Sequence, residues 1–383
     1  MNEKNLIEQQ YSERIVGFKN LIGAYELETL EDKVKDSLLK ASLMFRHFFP
    51  HRSHSESEGF VRDIYFHSKM ATIDTQEQFA EYLILNTKVV DESKVLSRNP
   101  AIFSTFHYGS YKLVVGVLLK AGVKLVVLTS ADLASAMSEL VGFSNEVARK
   151  NNWDGQSILL DTSSPLMIRK LVSYVREGWS VLVYADGATG ADGMTRNENN
   201  LIAVDILNTS LYVRKGIAVI SKLTKAPIVP TFCTFSSLFS RTLTLDSPIV
   251  NTRENPIPEH QIMQRVYDTL QKRVIANPSS WEGFLFLLKF IKTVPIDSFV
   301  LEENKKDELF YVINHKAYTF VKLDSRFFAV RINDLKFIKL DKELFDLFSM
   351  NLALRYDNLL RVIDFQQLSV LLTMQLIVKN SMI

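Results

Sequence analysis

Polar residues that follow uninterrupted apolar runs mark the places where this chain could do chemistry. His107 follows AIFSTF (Ala101–Phe106), Asp161 follows QSILL, Asp186 follows WSVLVYA, and Ser130 and Asp132 follow VKLVVLT. His107 stands out because Gly109 and Ser110 come directly behind it, where a helical run opens. A helix start presents unpaired backbone N–H groups and the positive end of a dipole. A base beside such donors could remove a proton while the N–H groups hold an oxyanion, which is what acyl transfer requires. A histidine simply hydrogen-bonded at a strand end is the plainer reading, and the local context leaves both open.

Other polar groups are less specific. Arg196, Arg214 and Lys215 follow Asp186; arginines in a crevice would clamp a phosphate, including that of a pantetheine, with paired hydrogen bonds. A solvated loop and helix face explains them equally well. The segment Gly187–Asn200, GATGADGMTRNENN, reads as a loop that could cover a site, and it has no Lys-Ser/Thr after a final glycine, so it is not a P-loop. Cys233 lies inside an apolar run and reads as core. No Gly-x-Ser-x-Gly elbow occurs, which argues against an α/β-hydrolase. His47, His51 and His54, around the polar turn HRSHSESEG, lack a carboxylate pattern that would set a metal geometry and read as solvated.

The elements that must position these residues alternate. From residue 96 to 292, apolar strands (AIFSTF, VKLVVLTS, QSILLD, WSVLVYAD, APIVPTFCTF) alternate with helical stretches, among them YKLVVGVLLKAG, PLMIRKLVSYVREG and LYVRKGIAVISKLT. This is the pattern of βαβ units around a mostly parallel sheet, and strands so uniformly apolar are covered by helices on both faces. Ligands bind such sheets outside the carboxyl ends of the strands, where His107 and Asp186 fall. Residues 1–95 read as a helical segment packed on that core, with Leu30–Phe49 apolar at helical spacing. A proline-bearing, charged stretch after Lys292 marks a boundary, and residues 300–383 read as a small α+β appendage: two β segments, then helices from Asp341 to the end.

Composition sets the outer limits. The 383 residues allow two or three domains at about 150 residues each. A net charge of +2 gives no global field for nucleic acid. One cysteine excludes an internal disulfide framework and suits a reducing, cytoplasmic compartment. The charged N-terminus has no signal-peptide core. The closest approach to a membrane span, Phe365–Val378, falls short of the roughly 18 residues required and reads as a buried or partner-facing helix. Any membrane contact would then be peripheral.

STFHYGSYK, at a strand end with a helix behind it, resembles the catalytic motif of the lysophospholipid acyltransferase superfamily, and most closely its branch of lipid A biosynthesis lauroyl/myristoyl acyltransferases. There the motif is His, four residues, then Asp or Glu, commonly with Gly two places and an aromatic four places after the His; His107, Gly109 and Tyr111 match. LVSYVREGWSVLVYADG, VRKGIAVISKLTKAPIVPTFCTF and YDTLQKRVIANPSSWEGFLFLLKF resemble later blocks of the branch in the same order, over about residues 40–292. Where the motif has its acid, this chain has Lys112. An ammonium cannot accept the imidazole hydrogen bond and would depress the histidine's basicity. Three explanations compete: another acid has taken over, Asp186 first by its strand-end position; His107 acts alone, its ordinary pKa near 6.5 being suited to a base; or the site only binds.

The resemblance implies a three-layer α/β acyltransferase core that moves a fatty acyl group from acyl carrier protein or coenzyme A to a hydroxyl or amine of a lipid, sugar, peptide or other natural-product acceptor. His107 would be the base and Asp186 would hold its imidazole. Gly109, Ser110, Tyr111, Lys112, Arg196 and Arg214 would supply oxyanion or substrate contacts. No metal, bound cofactor or nucleic acid is called for. Two alternatives remain: a catalytically silent acyl- or lipid-binding protein, and a peptide or secondary-metabolite acyltransferase whose residues 300–383 recognise the acceptor. For that appendage a docking, dimerisation or carrier-recognition role and a purely stabilising one are equally open.

Overall fold

The computed structural model describes residues 3–24, 31–49, 51–98, 100–164, 166–187, 200–207, 209–252, 254, 256–290, 310–314, 317–323, 326–331, 337–349, 354–355, 359, 361–363 and 365–379. They form two compact units, residues 1–42 with 53–292, and residues 43–52 with 293–383. Residues 43–52, expected with the N-terminal helices, group instead with the second unit, where Arg46 donates to Thr319 Oγ1 at 2.8 Å.

The first unit is built on a seven-stranded sheet. Its strands are β1 (Lys88–Val90), β2 (Ile102–Thr105), β3 (Lys124–Thr129), β4 (Gln156–Asp161), β5 (Ser180–Tyr184), β8 (Ile228–Ser237) and β9 (Ser240–Leu245), in the order β1-β9-β8-β2-β5-β3-β4. Only the β8–β9 hairpin is antiparallel; every other neighbouring pair is parallel. The parallel centre needs crossovers, and helices supply them: α5 (Val114–Lys120), α6 (Ala134–Lys150), α7 (Met167–Arg176) and α8 (Gly216–Thr224). Six consecutive residues of α5, Val114 to Leu119, are buried, so this helix lies wholly within the core rather than on its surface. α1 (Glu3–Ala24), α2 (Asp32–Phe48), α3 (His54–Ile73) and α4 (Glu77–Leu85) precede the sheet, and α9 (Glu259–Ala276) follows it.

One stretch read as helix folds otherwise. LYVR, the start of LYVRKGIAVISKLT, belongs to β7 (Thr209–Arg214), which forms an antiparallel hairpin with β6 (Leu201–Ile206); only Gly216 onward is helical. Alternating burial along β7 is the reason, since Thr209, Leu211 and Val213 point inward while Tyr212 and Arg214 face out.

In the second unit, β10 (Phe310–Ile313) lies between β14 (Leu354–Arg355) and β15 (Ile377–Lys379), and β11 (Tyr318–Leu323), β12 (Arg326–Arg331) and β13 (Phe337–Leu340) form an antiparallel meander. The expectation of helices from Asp341 to the end holds for α10 (Lys342–Ser349) and α11 (Phe365–Thr373), but not for β14 and β15. Phe365–Val378 is thus a helix followed by a strand, with Gln375 at φ 56° turning the chain between them.

The position of the His107 loop depends on a buried polar knot. Asp74, the residue that ends α3, and Arg241 of β9 are both fully buried and pair at 2.8 Å. Tyr11 of α1 donates to Asp74 at 2.6 Å and accepts from Arg241 at 2.6 Å. Ser110 donates to Asp74 at 2.6 Å and accepts from Arg241 Nε at 2.8 Å. Four distant segments therefore meet on one ion pair, and removing one partner strands the other in a medium that cannot solvate it. We expect Arg241→Leu to cost about 3–5 kcal/mol, and the double variant with Asp74→Leu to cost less than Arg241→Leu alone. Denaturant midpoints of the two variants measure both.

Candidate active site

β2 and β5 are adjacent parallel strands in which Thr105 faces Tyr184 across the ladder. His107 and Asp186 each lie two residues beyond that pair, and neighbouring strands are about 4.8 Å apart. The register alone thus sets the two residues side by side at the carboxyl edge. Asp186 Oδ1 lies 2.8 Å from His107 Nδ1, and both carboxylate oxygens are 3.2 Å from the His107 backbone N–H. Trp281 Nε1 donates to Oδ2 at 2.7 Å. Because a carboxylate accepts, Nδ1 carries the hydrogen and the Nε2 lone pair is the basic position. No hydrogen-bond partner approaches Nε2 among the described residues.

The imidazole is enclosed but not sealed, with 20% of its side chain exposed against 4% for Asp186. Tyr111, Tyr184 and Phe286 surround its ring at centroid distances of 4.8, 5.2 and 5.8 Å. Burial pulls the His107 pKa down, but the charge and hydrogen bond of Asp186, with the charge of Glu282, outweigh it against the opposing Lys112, so the pKa lies above its ordinary value.

Behind His107, the loop is pinned by its backbone. Gly109, at φ +62°, donates to Ser280 O at 2.8 Å, and Ser110 donates to Cys233 O at 2.8 Å. This corrects the expectation that these two N–H groups face an oxyanion: both already donate within the fold. The close packing also explains the glycine, since a Cβ at 109 would lie 2.5 Å from Cys233 O. The chain then turns through a short 3₁₀ segment, Tyr111–Leu113, before α5. Tyr111 donates to Glu282 Oε2 at 3.1 Å, and Lys112 Nζ donates to Thr72 Oγ1 of α3 at 3.2 Å.

Two residues beside His107 escaped the reading of the sequence. Trp281 is fully buried and Glu282 donates its backbone N–H to His107 O at 2.8 Å. The segment after α9, quoted above only as a block resembling the branch, bridges back to the His107 loop through Tyr108↔Trp281. The available signal was the indole itself, whose N–H needs an acceptor wherever the ring is buried. Among the other candidates, Arg196 lies outside the described residues, and Arg214 is exposed at the end of β7. Cys233 is fully buried, and burial pushes its thiol up to about 12, which leaves it an inert core residue. Asp161, at the end of β4, caps its own turn by accepting from Ser163.

Residues 90–290 match the family model described as bacterial lipid A biosynthesis acyltransferase. A solved structure similar to this chain is the 1-acyl-sn-glycerophosphate (LPA) acyltransferase PlsC from Thermotoga maritima. It is 13% identical, with 62% of this chain and 88% of that chain covered and a TM-score of 0.33. No curated protein matches. Among the described residues no helix is long and apolar enough to cross a membrane. With the family match running over more than half of its length, this chain belongs to the bacterial lipid A biosynthesis acyltransferases.

Proposed function

We propose that the protein transfers a fatty acyl group from a thioester, on acyl carrier protein or coenzyme A, to a hydroxyl or amine of a lipid or natural-product acceptor, with His107 as general base. The observation that carries this reading is the 2.8 Å contact between His107 Nδ1 and the buried Asp186 carboxylate. It supplies an orienting acid in spite of Lys112, and so favours an active enzyme over a silent acyl-binding protein.

In the proposed reaction the acceptor's O–H or N–H gives its proton to His107 Nε2 as the heteroatom attacks the thioester carbonyl. Collapse of the tetrahedral intermediate breaks the C–S bond, and the imidazolium returns the proton to the departing sulfur. Asp186 holds the ring in the tautomer that makes this possible and stabilises its transient charge. Oxyanion donors other than the Gly109 and Ser110 amides are required. The chemistry asks for no metal or bound cofactor beyond the thioester donor.

Thiol release from long-chain acyl-carrier protein and acyl-coenzyme A, with and without candidate acceptors, tests the proposal. His107→Ala should lower release about 10²–10⁴-fold; equal release from both proteins would refute His107 as the base. The pH dependence gives a second check. A base works only when neutral, so activity should rise as pH passes upward through the His107 pKa, which Asp186 holds above its ordinary value. Asp186→Asn removes that raising charge, so alongside its lower rate its acid limb should move to lower pH in a kcat/KM profile.

A further inference from the structure

Lys112 is the residue that acyl transfer by His107 and Asp186 leaves unexplained, and its surroundings contain an acid. Glu282 is tied to His107 by the 2.8 Å bond from its backbone N–H to the His107 carbonyl. Its carboxylate accepts from the Tyr111 hydroxyl at 3.1 Å, and the Tyr111 ring stands edge-on to the imidazole at 4.8 Å. Lys112 Nζ lies 5.8 Å from the centroid of the same tyrosine ring. His107, Tyr111, Glu282 and Lys112 are thus one contiguous cluster.

We propose that Glu282 is a positioning residue for His107, a second carboxylate beside Asp186 delivered from the segment after α9, with Lys112 as its counter-charge. Four partners and burial define its state. Burial, reinforced by Asp186, holds the Glu282 pKa above its ordinary value, while the charges of His107 and Lys112 and the hydrogen bond from Tyr111 pull toward the carboxylate. Lys112 in turn faces Glu282 and Asp74 as opposite charges and Lys69 as a like one, and burial disfavours its ammonium. His107 faces Asp186 and Glu282 on one side of the balance and Lys112 on the other, with the neutral hydroxyl groups of Tyr111 and Tyr184 around the ring. A lone carboxylate in this half-buried place would be drawn toward its neutral form, and a lone ammonium there would depress His107. Together they leave His107 a net anionic neighbour while cancelling much of each other's charge.

The inference rests on His107 as the general base for its catalytic consequence, but the electrostatic coupling can be read without activity. The full chain is labelled at the histidine Cε1 carbon, the His107 resonance is assigned with His107→Ala, and its titration is followed by NMR. Glu282→Gln should shift the His107 pKa downward, and Glu282→Asp should retain most of the wild-type value. Lys112→Glu should shift it upward, and Lys112→Glu with Glu282→Lys should bring it back toward wild type. A merely structural Glu282 would change the thermal midpoint and leave the titration in place. A Glu282→Gln curve superimposed on wild type overturns the proposal. If Glu282→Gln does not fold, an exchange variant that keeps the Lys112→Glu shift overturns it instead. In the thiol-release assay the acid limb of each variant should track its own His107 titration. Absence of release from the wild type would refute the acyl-transfer reading, with the titration still deciding the coupling.

Discussion

A carboxylate with 4% of its side chain exposed must find its hydrogen-bond donors inside the protein. Asp186 finds them in three places: the His107 ring, the His107 backbone and the Trp281 indole. The first two follow from β2 and β5 being parallel neighbours in register. The third requires the chain after α9 to return to the strand ends and bury a whole tryptophan there. Losing any one donor would leave a buried charge short of a partner, at a cost of about 1–3 kcal/mol or more. The carboxylate thereby couples the centre of the sheet to a segment roughly 95 residues further along.

That return segment shapes the rest of the site. Ser280 accepts from Gly109, Glu282 donates to His107, and Gly283 packs so closely on the indole that a Cβ there would lie 2.2 Å from the Trp281 ring. From the other side, Ser110 is held by Cys233 O and by the Arg241–Asp74 pair. The loop behind His107 is therefore clamped between two layers. The same bonds that immobilise the imidazole consume the amides that a helix start would otherwise offer. Rigidity of the base and a local oxyanion hole are alternatives at this position, and the protein has taken rigidity.

Much of this was legible in the sequence wherever a short-range pattern carried it. Uniformly apolar runs identified the buried parallel strands, and the polar residues at their ends included both His107 and Asp186. Alternation along Thr209–Arg214 was hidden because the run passes directly into α8, so LYVR was absorbed into the helix. Trp281 and Glu282 were not legible as site residues, since a buried indole says that it needs an acceptor but not that its segment crosses back to the His107 loop. The Tyr11–Asp74–Ser110–Arg241 knot was invisible for the same reason: its members are 230 residues apart at the extremes, and only Ser110 stands in a recognisable motif. Local chemistry shows at strand ends; partnerships made by the tertiary fold do not.

Lys112 looked like damage to the site because the family resemblance implies that the fifth residue after the histidine is an acid touching the imidazole. The geometry removes that requirement. A short 3₁₀ turn carries Lys112 toward Thr72 of α3, while the Nδ1 side of the ring is occupied by an acid just past β5. Lys112 acts on His107 through space, by charge, and not by a direct hydrogen bond. A charge acting at that range can be offset by another, which a missing hydrogen-bond partner cannot. The orienting bond and the local field are therefore separable here, and a lysine at the motif position is compatible with an intact histidine–carboxylate pair.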